Sequence, residues 1–440
     1  MTPTLEKPET AYLPEFIRAE KNLPGRGLPW LKQLRNTAIT RFAEIGFPTI
    51  HDEAWRFTPI EPLTRTVFKS VEGPAAPVTA QTLKPLTFEG LSGFQLVFVN
   101  GRYSSALSTF PKLPKGVQAG SLASFTGTHP DDLQKHLGKY AEFKNKPFVA
   151  LNTAFFADGA HVYLPKDTVI ETPIHLLFIS TPGAPPLMSH PRVLIVAKQG
   201  SQASLIESYV STRPGVYWTN TVTEVVLEEN ARLDHYKLEQ EALEAFHIST
   251  LQVHQARSSV FNSHALLFGG ALVRNNINAV LDAEGAECTL NGLYMAAGKQ
   301  LIDMHTLIDH VKPHGTSREQ YKGILDQKAH AVFDGHIIVR PDAQKTDAVQ
   351  TNKNLLLSDD ARINTKPELK IFANDVKCKH GATVGQINPD SLFYSRSRGI
   401  GLDEARRLLI YAFASEMIEQ LKIPALREGL GQRLFSKFQS

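Results

Sequence analysis

The chain has 440 residues, 42% of them hydrophobic, so it can form one large domain or two to three smaller ones, and a disordered chain is excluded. Its 47 basic and 44 acidic residues leave a net charge of +3, which argues against nucleic acid or anionic lipid as a partner. The two cysteines, Cys288 and Cys378, are too few for a disulfide framework or a CxxC-type metal module, and they indicate a reducing compartment.

The N-terminal residues contain no apolar signal segment, and no later stretch reaches the ~18 consecutive apolar residues of a membrane span. We therefore expect a cytoplasmic protein without a membrane segment. Residues 1–72 are predicted to be a helical region, because apolar residues recur at three- and four-residue spacing from Trp30 to Ile45, before Gly46 and Pro48 end the pattern.

Residues 73–160 are predicted to be a linker and a mixed α/β segment leading into the core. The passage from Gly73 to Pro85 is rich in Pro and Thr and has no apolar period. A short strand is expected at Phe94–Asn100 and a short helix at Asp131–Tyr140, whereas Asn145–Ala157 is ambiguous.

Residues 161–387 consist of short β-rich runs that end in small or polar turn residues. Such turns recur every 27 to 30 residues, at Gly200, Asn230, Arg257, Gly285, Gly315 and Asp342. Strands and turns at this period predict a mainly β fold, a β-solenoid whose coils stack to bury their apolar faces. A sandwich or a propeller is the alternative, but propeller blades are longer, at about 40 to 45 residues.

A solenoid leaves unpaired strand edges at its two ends, and the flanking helical segments are expected to cap them. Residues 388–440 form the second helical region, with apolar residues on one face from Leu402 to Met417. Pro424 is expected to end this helix, and a basic tail to follow.

Common catalytic motifs are absent from the sequence. Gly298-Lys299 is followed by Gln300 and not by the hydroxyl residue of a phosphate loop, and Gly399-Ile400-Gly401 lacks the context of a dinucleotide-binding turn. Neither HExxH nor GxSxG occurs. The chain is predicted to be non-catalytic and not to hydrolyse ATP by itself.

One segment, Asp375–Gly385, brings together donors for a metal. In an extended strand Cys378 and His380 project to the same face, and a thiolate beside an imidazole suits iron, zinc or an iron–sulfur species. Lys377 and Lys379 are expected to keep the thiol ionised. Two ligands do not complete a tetrahedral site, so further donors would come from elsewhere or from a second chain. The alternative is a buried Cys and a hydrogen-bonded His that end the solenoid.

A second group of candidates is less specific. Its histidines match no compact zinc spacing, and the simplest interpretation is polar rungs satisfied by neighbouring groups; they are His305, His310, His314, His330 and His336. The pairs Asp303-x-His305 and Asp309-His310 place acids beside imidazoles. Cys288 lies in an apolar alternation and is interpreted as a small core residue.

Long ordered segments of the chain resemble the SufD members of the SufB/SufD family, which belongs to the SUF system of iron–sulfur cluster assembly. They are DEAWRFT at 52–58, LNGLY at 290–294, DMHT at 303–306, YKGIL at 321–325, QTNKNLLLS at 350–358, TKPEL at 365–369, DVKCKHGATVG at 375–385, LFY at 392–394 and SRG at 397–399.

The resemblance implies a right-handed parallel β-helix with helical N- and C-terminal regions. It also implies a non-catalytic scaffold that pairs through the β-helix with SufB, a paralogue, and through the C-terminal helices with the ATPase SufC. His380 matches a histidine thought to bind iron or a cluster at the SufB interface, and Cys378 its neighbour. Ala382 stands where the family often has a further Cys. No cofactor is expected to be bound stably, beyond a transient iron or iron–sulfur cluster shared with SufB.

Two alternatives remain at this point. A β-helix carbohydrate-active enzyme of the secreted type would need a secretion signal, which the sequence lacks. A homodimeric β-solenoid binding module would be recognised by forming only homodimers when co-expressed with SufB and SufC.

Overall fold

The structure is a computed structural model that describes residues 12–71, 78–91, 93–110 and 112–437, with side chains to residue 434. The expected boundary between residues 72 and 73, the first part of the Pro- and Thr-rich passage and the N-terminal segment lie outside the described residues.

The strands form two sheets, and each coil places one strand in each of them. In chain order they are β1 (Lys69–Ser70), β2 (Phe94–Val99), β3 (Arg102–Tyr103), β4 (Gln118–Ser121), β5 (Ala160–Leu164), β6 (Ile174–Ser180), β7 (Leu187–Ser189), β8 (Arg192–Ala197), β9 (Gln202–Ser211), β10 (Tyr217–Leu227), β11 (Arg232–Gln240), β12 (Phe246–Gln255), β13 (Val260–Leu267), β14 (Leu272–Leu281), β15 (Glu287–Ala296), β16 (Leu301–His310), β17 (Thr316–Leu325), β18 (His330–Val339), β19 (Asp347–Leu356), β20 (Arg362–Ile371) and β21 (Lys377–Gly385).

From β8 onward, even-numbered strands pair in parallel in sheet A and odd-numbered strands pair in parallel in sheet B. The inner faces of both sheets meet in one hydrophobic core. The predicted mainly β solenoid is confirmed, with 40% strand, 24% helix and about 8 turns. The right-handed sense of the coils stays a prediction. The coils also start before residue 161, because β2 pairs in parallel with β6.

One corner of each coil turns through a residue with positive φ: Asp167, Gly200, Asn230, Ser258, Gly285, His314 and Lys345. Gly and Asn accept this left-handed conformation at little cost, which is why the corners can be recognised in the sequence. The turns predicted at Gly200, Asn230 and Gly285 are confirmed. Those predicted at Arg257 and Gly315 lie one residue from the observed corners.

The corners are stacked by backbone hydrogen bonds from one coil to the next. The N–H of Gly200 donates to the Glu229 carbonyl at 2.9 Å, and the N–H of Asn230 to the Arg257 carbonyl at 2.9 Å. The prediction at Asp342 was three residues early, because the last corner is at Lys345.

Among the described residues, helices of both flanking regions pack on the outer faces of the sheets rather than over their ends, so the predicted end caps were wrong. In chain order the helices are α1 (Tyr12–Glu20), α2 (Pro29–Ile45), α3 (Glu61–Thr64), α4 (Ala80–Leu83), α5 (Leu122–Thr128), α6 (Pro130–His136), α7 (Pro147–Phe155), α8 (Pro389–Ser397), α9 (Leu402–Ile418) and α10 (Pro424–Lys437). Helices α1, α2 and α7 cover apolar residues of sheet A, and α9 and α10 cover those of sheet B.

The helices at Pro424 and at residues 145–157 differ from the sequence-based expectations. Pro424 begins α10 and does not lead into a tail, because the fixed φ of proline suits the first turn of a helix. The ambiguous passage from 145 to 157 contains α7, which is buried throughout. Among the described residues, no helix is both long and apolar enough to cross a membrane.

The two ends of the β-helix differ. At the first end, β3 pairs antiparallel with β2 in sheet B, and β4 pairs antiparallel with β5 in sheet A. At the other end, β20 pairs only with β18 and β21 only with β19; β20 is mostly half-buried and β21 is largely exposed. Among the described residues, nothing covers this second edge, which we call the open end (β20 and β21).

A buried ion pair within sheet A holds the segment that follows α6. Arg192 Nη2 lies 2.6 Å from Glu224 Oε2, and Glu224 also accepts the N–H groups of Gly138, Tyr140 and Ala141. Burial alone would raise the pKa of Glu224, but the Arg192 charge and these N–H groups lower it below its usual value.

Removing one member of this pair should destabilise the protein strongly, because the other charge stays buried without a partner. For Arg192→Ala we expect a loss of about 3–5 kcal/mol in the free energy of unfolding, measured by urea denaturation. Arg257→Ala removes the exposed pair with Glu229 and should have little effect. Equal losses of unfolding free energy in Arg192→Ala and Arg257→Ala would contradict this prediction.

A single carboxyl group lies inside the core near the open end. Glu319 on β17 is buried, and its Oε2 accepts a hydrogen bond from Gln350 Nε2 at 2.7 Å. Burial raises the pKa of Glu319 from its usual 4.5 to about 7, against the opposing hydrogen bonds of Thr306 and Gln350.

Glu319 should make the free energy of unfolding decrease as the pH rises. Between about pH 4.5 and 7 the folded protein keeps a proton that the unfolded chain releases, which costs up to about 1.4 kcal/mol per pH unit, or roughly 3 kcal/mol in all. Glu319→Gln should therefore gain stability over the wild type from pH 5 to pH 8, measured by urea denaturation. The exposed Glu89→Gln is the control, and a Glu319→Gln curve parallel to the wild type would contradict the prediction.

Candidate functional site

The two predicted ligands lie on β21, the last strand of sheet B. Cys378 is in register with Ala348, and His380 with Gln350, on the neighbouring strand β19. Ala348 and Gln350 are both buried in the interior. Because side chains alternate along a strand, Cys378 and His380 therefore project on the inward face, above the core at the open end.

The Cys378 side chain is half-buried against the core. Burial raises the pKa of its thiol, the backbone N–H contact with Ala348 opposes this, and Asp347 adds to it. The expectation that Lys377 and Lys379 keep the thiol ionised was wrong, because alternation directs these two lysines to the opposite face of the strand.

His380 is exposed, since no further coil covers it. The buried Gln350 is its register partner on β19, and the Nε2 of Gln350 donates a hydrogen bond to Glu319 Oε2. The other end of this amide, Oε1, is buried and has no hydrogen-bond partner among the described residues. A buried acceptor without a partner therefore lies one strand below His380.

Glu319 and Gln350 were not identified from the sequence. The available signal was that both are polar residues at inward positions of successive coils, but this can be recognised only once the register between β17 and β19 is known.

Cys378 and His380 supply two donors, and among the described residues no group of three or more Cys, His, Asp or Glu side chains is arranged to hold a metal ion. The same end exposes apolar side chains, with Phe372 at 61%, Val384 at 48% and Ile371 at 40% exposure. The arrangement can bind a thiophilic ion or cluster only together with donors from outside these residues.

Two of the other candidate histidines form a row with carboxylates on the outer face of sheet A. His305 Nε2 lies 2.9 Å from Asp303 Oδ1, and its Nδ1 lies 3.7 Å from Asp334 Oδ2. His336 Nε2 lies 2.6 Å from Asp334 Oδ1, and its Nδ1 lies 3.5 Å from Glu368 Oε2. The predicted pairing of Asp303 with His305 is confirmed.

The N-terminal region docks beside this row. Arg274 stacks 3.7 Å from the ring centre of Trp55 and pairs with Asp303 at 2.5 Å. Thr58 Oγ1 donates to the same carboxylate at 2.5 Å. Asp303 and Arg274 thus hold residues 55 to 58 against sheet A.

The remaining candidates are dispersed. His310 points inward to Ser317 Oγ at 2.9 Å, and burial lowers its pKa to about 4. Its neighbour Asp309 points outward to Arg340, so the expected pairing of Asp309 with His310 was wrong. His314 occupies a coil corner, and His330 contacts Asn364 Oδ1 at 2.7 Å.

Cys288 is buried in the core, as predicted, and burial raises the pKa of its thiol. Strand register places it in the same inward column as Cys378, below Ser317 and Ala348. Three coils therefore separate the two cysteines, roughly 14 Å at the usual strand spacing, which is too far for both to bind one ion.

Comparisons with known proteins agree with the motifs at 52–399. The model of the SufBD core domain of SUF system FeS cluster assembly matches residues 178–413, and the model of the SufBD protein N-terminal region matches residues 6–176.

Relatives match along nearly the whole chain. An iron–sulfur cluster assembly SufBD family protein of Synechocystis is 36% identical over 406 residues, covering 90% of this chain and 89% of the relative. The iron–sulfur cluster assembly protein SufD of Escherichia coli is 33% identical, covering 90% and 91%. The chloroplastic protein ABCI7 of Arabidopsis thaliana is 31% identical, covering 92% and 85%. The resemblance found in the sequence is thus confirmed, and the chain belongs to the SufBD family of iron–sulfur cluster assembly proteins.

Proposed function

We propose that the chain is a scaffold subunit of iron–sulfur cluster assembly that pairs with SufB through the open end and with SufC through its C-terminal helices. Cys378 and His380 lend two ligands to a cluster site shared with SufB. The observation that carries this proposal is the position of both donors on the inward face of the last, singly paired strand.

The open end suits a second β-helix as its partner. The edges of β20 and β21 offer unpaired backbone N–H and C=O groups, and a strand edge of this kind is satisfied best by another strand. The exposed Ile371, Phe372 and Val384 add apolar area that such a partner would bury. A paralogue with the same coil dimensions would continue both sheets.

The donor set supports sharing of the site. A half-buried thiol and an exposed imidazole supply soft and borderline ligands for iron, which is the cargo in this proposal. Two donors alone bind a metal ion weakly, and pairing with SufB would bring the remaining donors. His380 is the more accessible ligand, and Gln350 below it provides an acceptor that can fix the orientation of the ring.

The C-terminal helices offer a separate surface. Helix α8 has no buried residue, and its Phe393 and Tyr394 are 75% and 60% exposed. Arg396 and Arg398 flank these rings, and Arg398 lies 5.1 Å from the Tyr394 ring centre. Aromatic and arginine side chains are the residues that most often anchor protein interfaces. We assign this surface (residues 393–398) to SufC.

Contacts between α9 and sheet B would transmit motion from one surface to the other. The buried ammonium group of Lys322 on β17 pairs with Glu416 and donates to the Phe413 carbonyl at 2.9 Å. Asn291 on β15 donates to Gln420 at 2.7 Å. ATP-driven dimerisation of SufC would pull on α8 and α9, shift β15 and β17, and change how the open end meets SufB.

His380→Ala should impair cluster assembly while leaving the complex intact, because it removes a ligand and no core contact. In cells that depend on the SUF system we expect the activity of an iron–sulfur enzyme to fall at least about tenfold. Cys378→Ser should have a smaller effect. Lys379→Ala, on the opposite face of the same strand, is the matched control.

Co-purification with SufB and SufC checks that His380→Ala still forms the complex. Normal enzyme maturation in His380→Ala cells would contradict the ligand role. Recovery of the wild-type chain only as a homodimer, with SufB and SufC co-expressed, would instead favour the homodimeric binding module.

Phe393→Ser should weaken binding to SufC by at least about tenfold and leave binding to SufB unchanged, because the ring is exposed on α8 and is not part of β20 or β21. Surface plasmon resonance with each purified partner measures the two affinities. Leu243→Ser, which changes another exposed apolar residue, is the control. Unchanged SufC affinity in Phe393→Ser would show that SufC binds elsewhere.

A further inference from the structure

A pocket of about 440 Å³ lies on the N-terminal helical region, away from the residues assigned to the cluster. It is formed where α1 ends and α2 begins, and its lining residues are Glu20, Lys21, Arg26, Gly27, Lys32 and Arg35. Its volume falls within the range of about 300–1,000 Å³ that is usual for small-molecule sites.

The lining of this pocket is strongly positive. Four of its side chains are cationic and one is a carboxylate, which leaves a formal charge of +3 (4 − 1). Among the described residues, none of the four cations forms an ion pair within 4.0 Å. The charges are therefore not neutralised by the part of the protein that the structure describes, and they favour an anion.

Arg35 forms the buried wall of the pocket, at 2% exposure. Its Nη1 donates to the Pro24 carbonyl at 2.7 Å and its Nη2 to the Phe156 carbonyl at 3.2 Å, and the guanidinium lies 4.7 Å from the Phe156 ring centre. Its Nε is buried and has no hydrogen-bond partner among the described residues.

Burial lowers the pKa of Arg35 to about 10, with Glu20 opposing, so the side chain stays protonated at neutral pH. A buried cation held only by neutral carbonyls is costly, and a negatively charged ligand would offset that cost.

The start of α2 adds to the positive potential. This 17-residue helix begins at Pro29 after Leu28, whose side chain cannot cap it, and its first turn has no acidic residue. Pro29 has no N–H and the N–H groups of Leu31 and Lys32 donate to the Leu28 carbonyl at 3.1 Å, so the start of α2 attracts anions mainly through its helix dipole. Space is available next to the helix start, because nothing lies within 4 Å of the Cβ position at Gly27.

We propose that this pocket binds a phosphate group, either as free phosphate or diphosphate or as part of a phosphorylated small molecule such as a nucleoside diphosphate. The tetrahedral, multiply charged phosphate matches a net charge of +3 better than a carboxylate does. Arginine and lysine at a helix N-terminus are the donors that phosphate takes in proteins. The proposal does not depend on the cluster-assembly role.

Isothermal titration calorimetry of the full chain with inorganic phosphate, pyrophosphate and ADP tests the proposal. At low salt we expect saturable binding of one ligand per chain, weakened by added sodium chloride. Lys32→Glu and Arg26→Glu should each reduce the affinity at least about tenfold, because both side chains are exposed and their reversal adds a negative charge to the pocket. The exposed Lys115→Glu, outside the pocket, should leave the affinity unchanged.

The comparison of ligands separates the two sources of phosphate. Equal affinity for pyrophosphate and ADP would assign recognition to the phosphates alone, whereas tighter binding of ADP would place the nucleoside in the pocket as well. No saturable binding of any of the three ligands up to about 5 mM would overturn the proposal, as would equal weakening by Lys115→Glu and Lys32→Glu.

Arg35→Lys provides a second variant that keeps the positive charge but removes the planar donor group. We expect weaker phosphate binding with an unchanged circular dichroism spectrum. Should this variant unfold, the two surface reversals still decide the outcome, since neither Lys32 nor Arg26 contributes to the core.

Discussion

The structure depends on one constraint of parallel coils: every strand takes hydrogen bonds from the coil before it and the coil after it, so the first and last coils each keep an unpaired edge. Short antiparallel strands satisfy the first edge, at β3 and β4. Within the described residues the second edge has no such cover. Because the inward face of β21 lies at this edge, Cys378 and His380 are exposed to whatever completes the coil. The position of the candidate site thus follows from where the chain stops coiling.

The helices cover the apolar outer surface of both sheets. Trp218 and its neighbours on sheet A would be exposed without α1, α2 and α7, and Leu293 and its neighbours on sheet B without α9 and α10. Because these helices pack on the outer faces of the sheets, they do not cover the open end. Lys322 on β17 contacts Glu416 of α9, and Arg192 on β8 contacts Asn152 of α7, so these helices are attached to particular coils.

The sequence predicted those parts of the fold that are determined locally. A corner residue must accept a positive φ, so Gly200 and Asn230 mark the coils directly, and strand alternation places Cys378 and His380 on one face. Contacts between coils could not be predicted, because from β8 onward the register offset varies from 26 residues, between Phe246 and Leu272, to 32, between His330 and Arg362. A column such as Glu319, Gln350 and His380 therefore has no fixed period. Whether helices cover faces or ends is equally a tertiary property, and there the prediction was wrong.

The small number of donors at the open end is itself informative for a protein of cluster assembly. A chain with three or four ligands on one rigid strand pair would hold a cluster tightly, and it would then have to distort a stable sheet to release it. In the proposed function, two ligands on a singly paired strand hold little by themselves, so retention of the cargo would depend on the partner that brings the remaining donors. Any force that separates the partners then weakens binding without disturbing the core of either β-helix. Under this proposal, cluster release becomes a matter of subunit geometry, which an ATPase acting on the C-terminal helices would change.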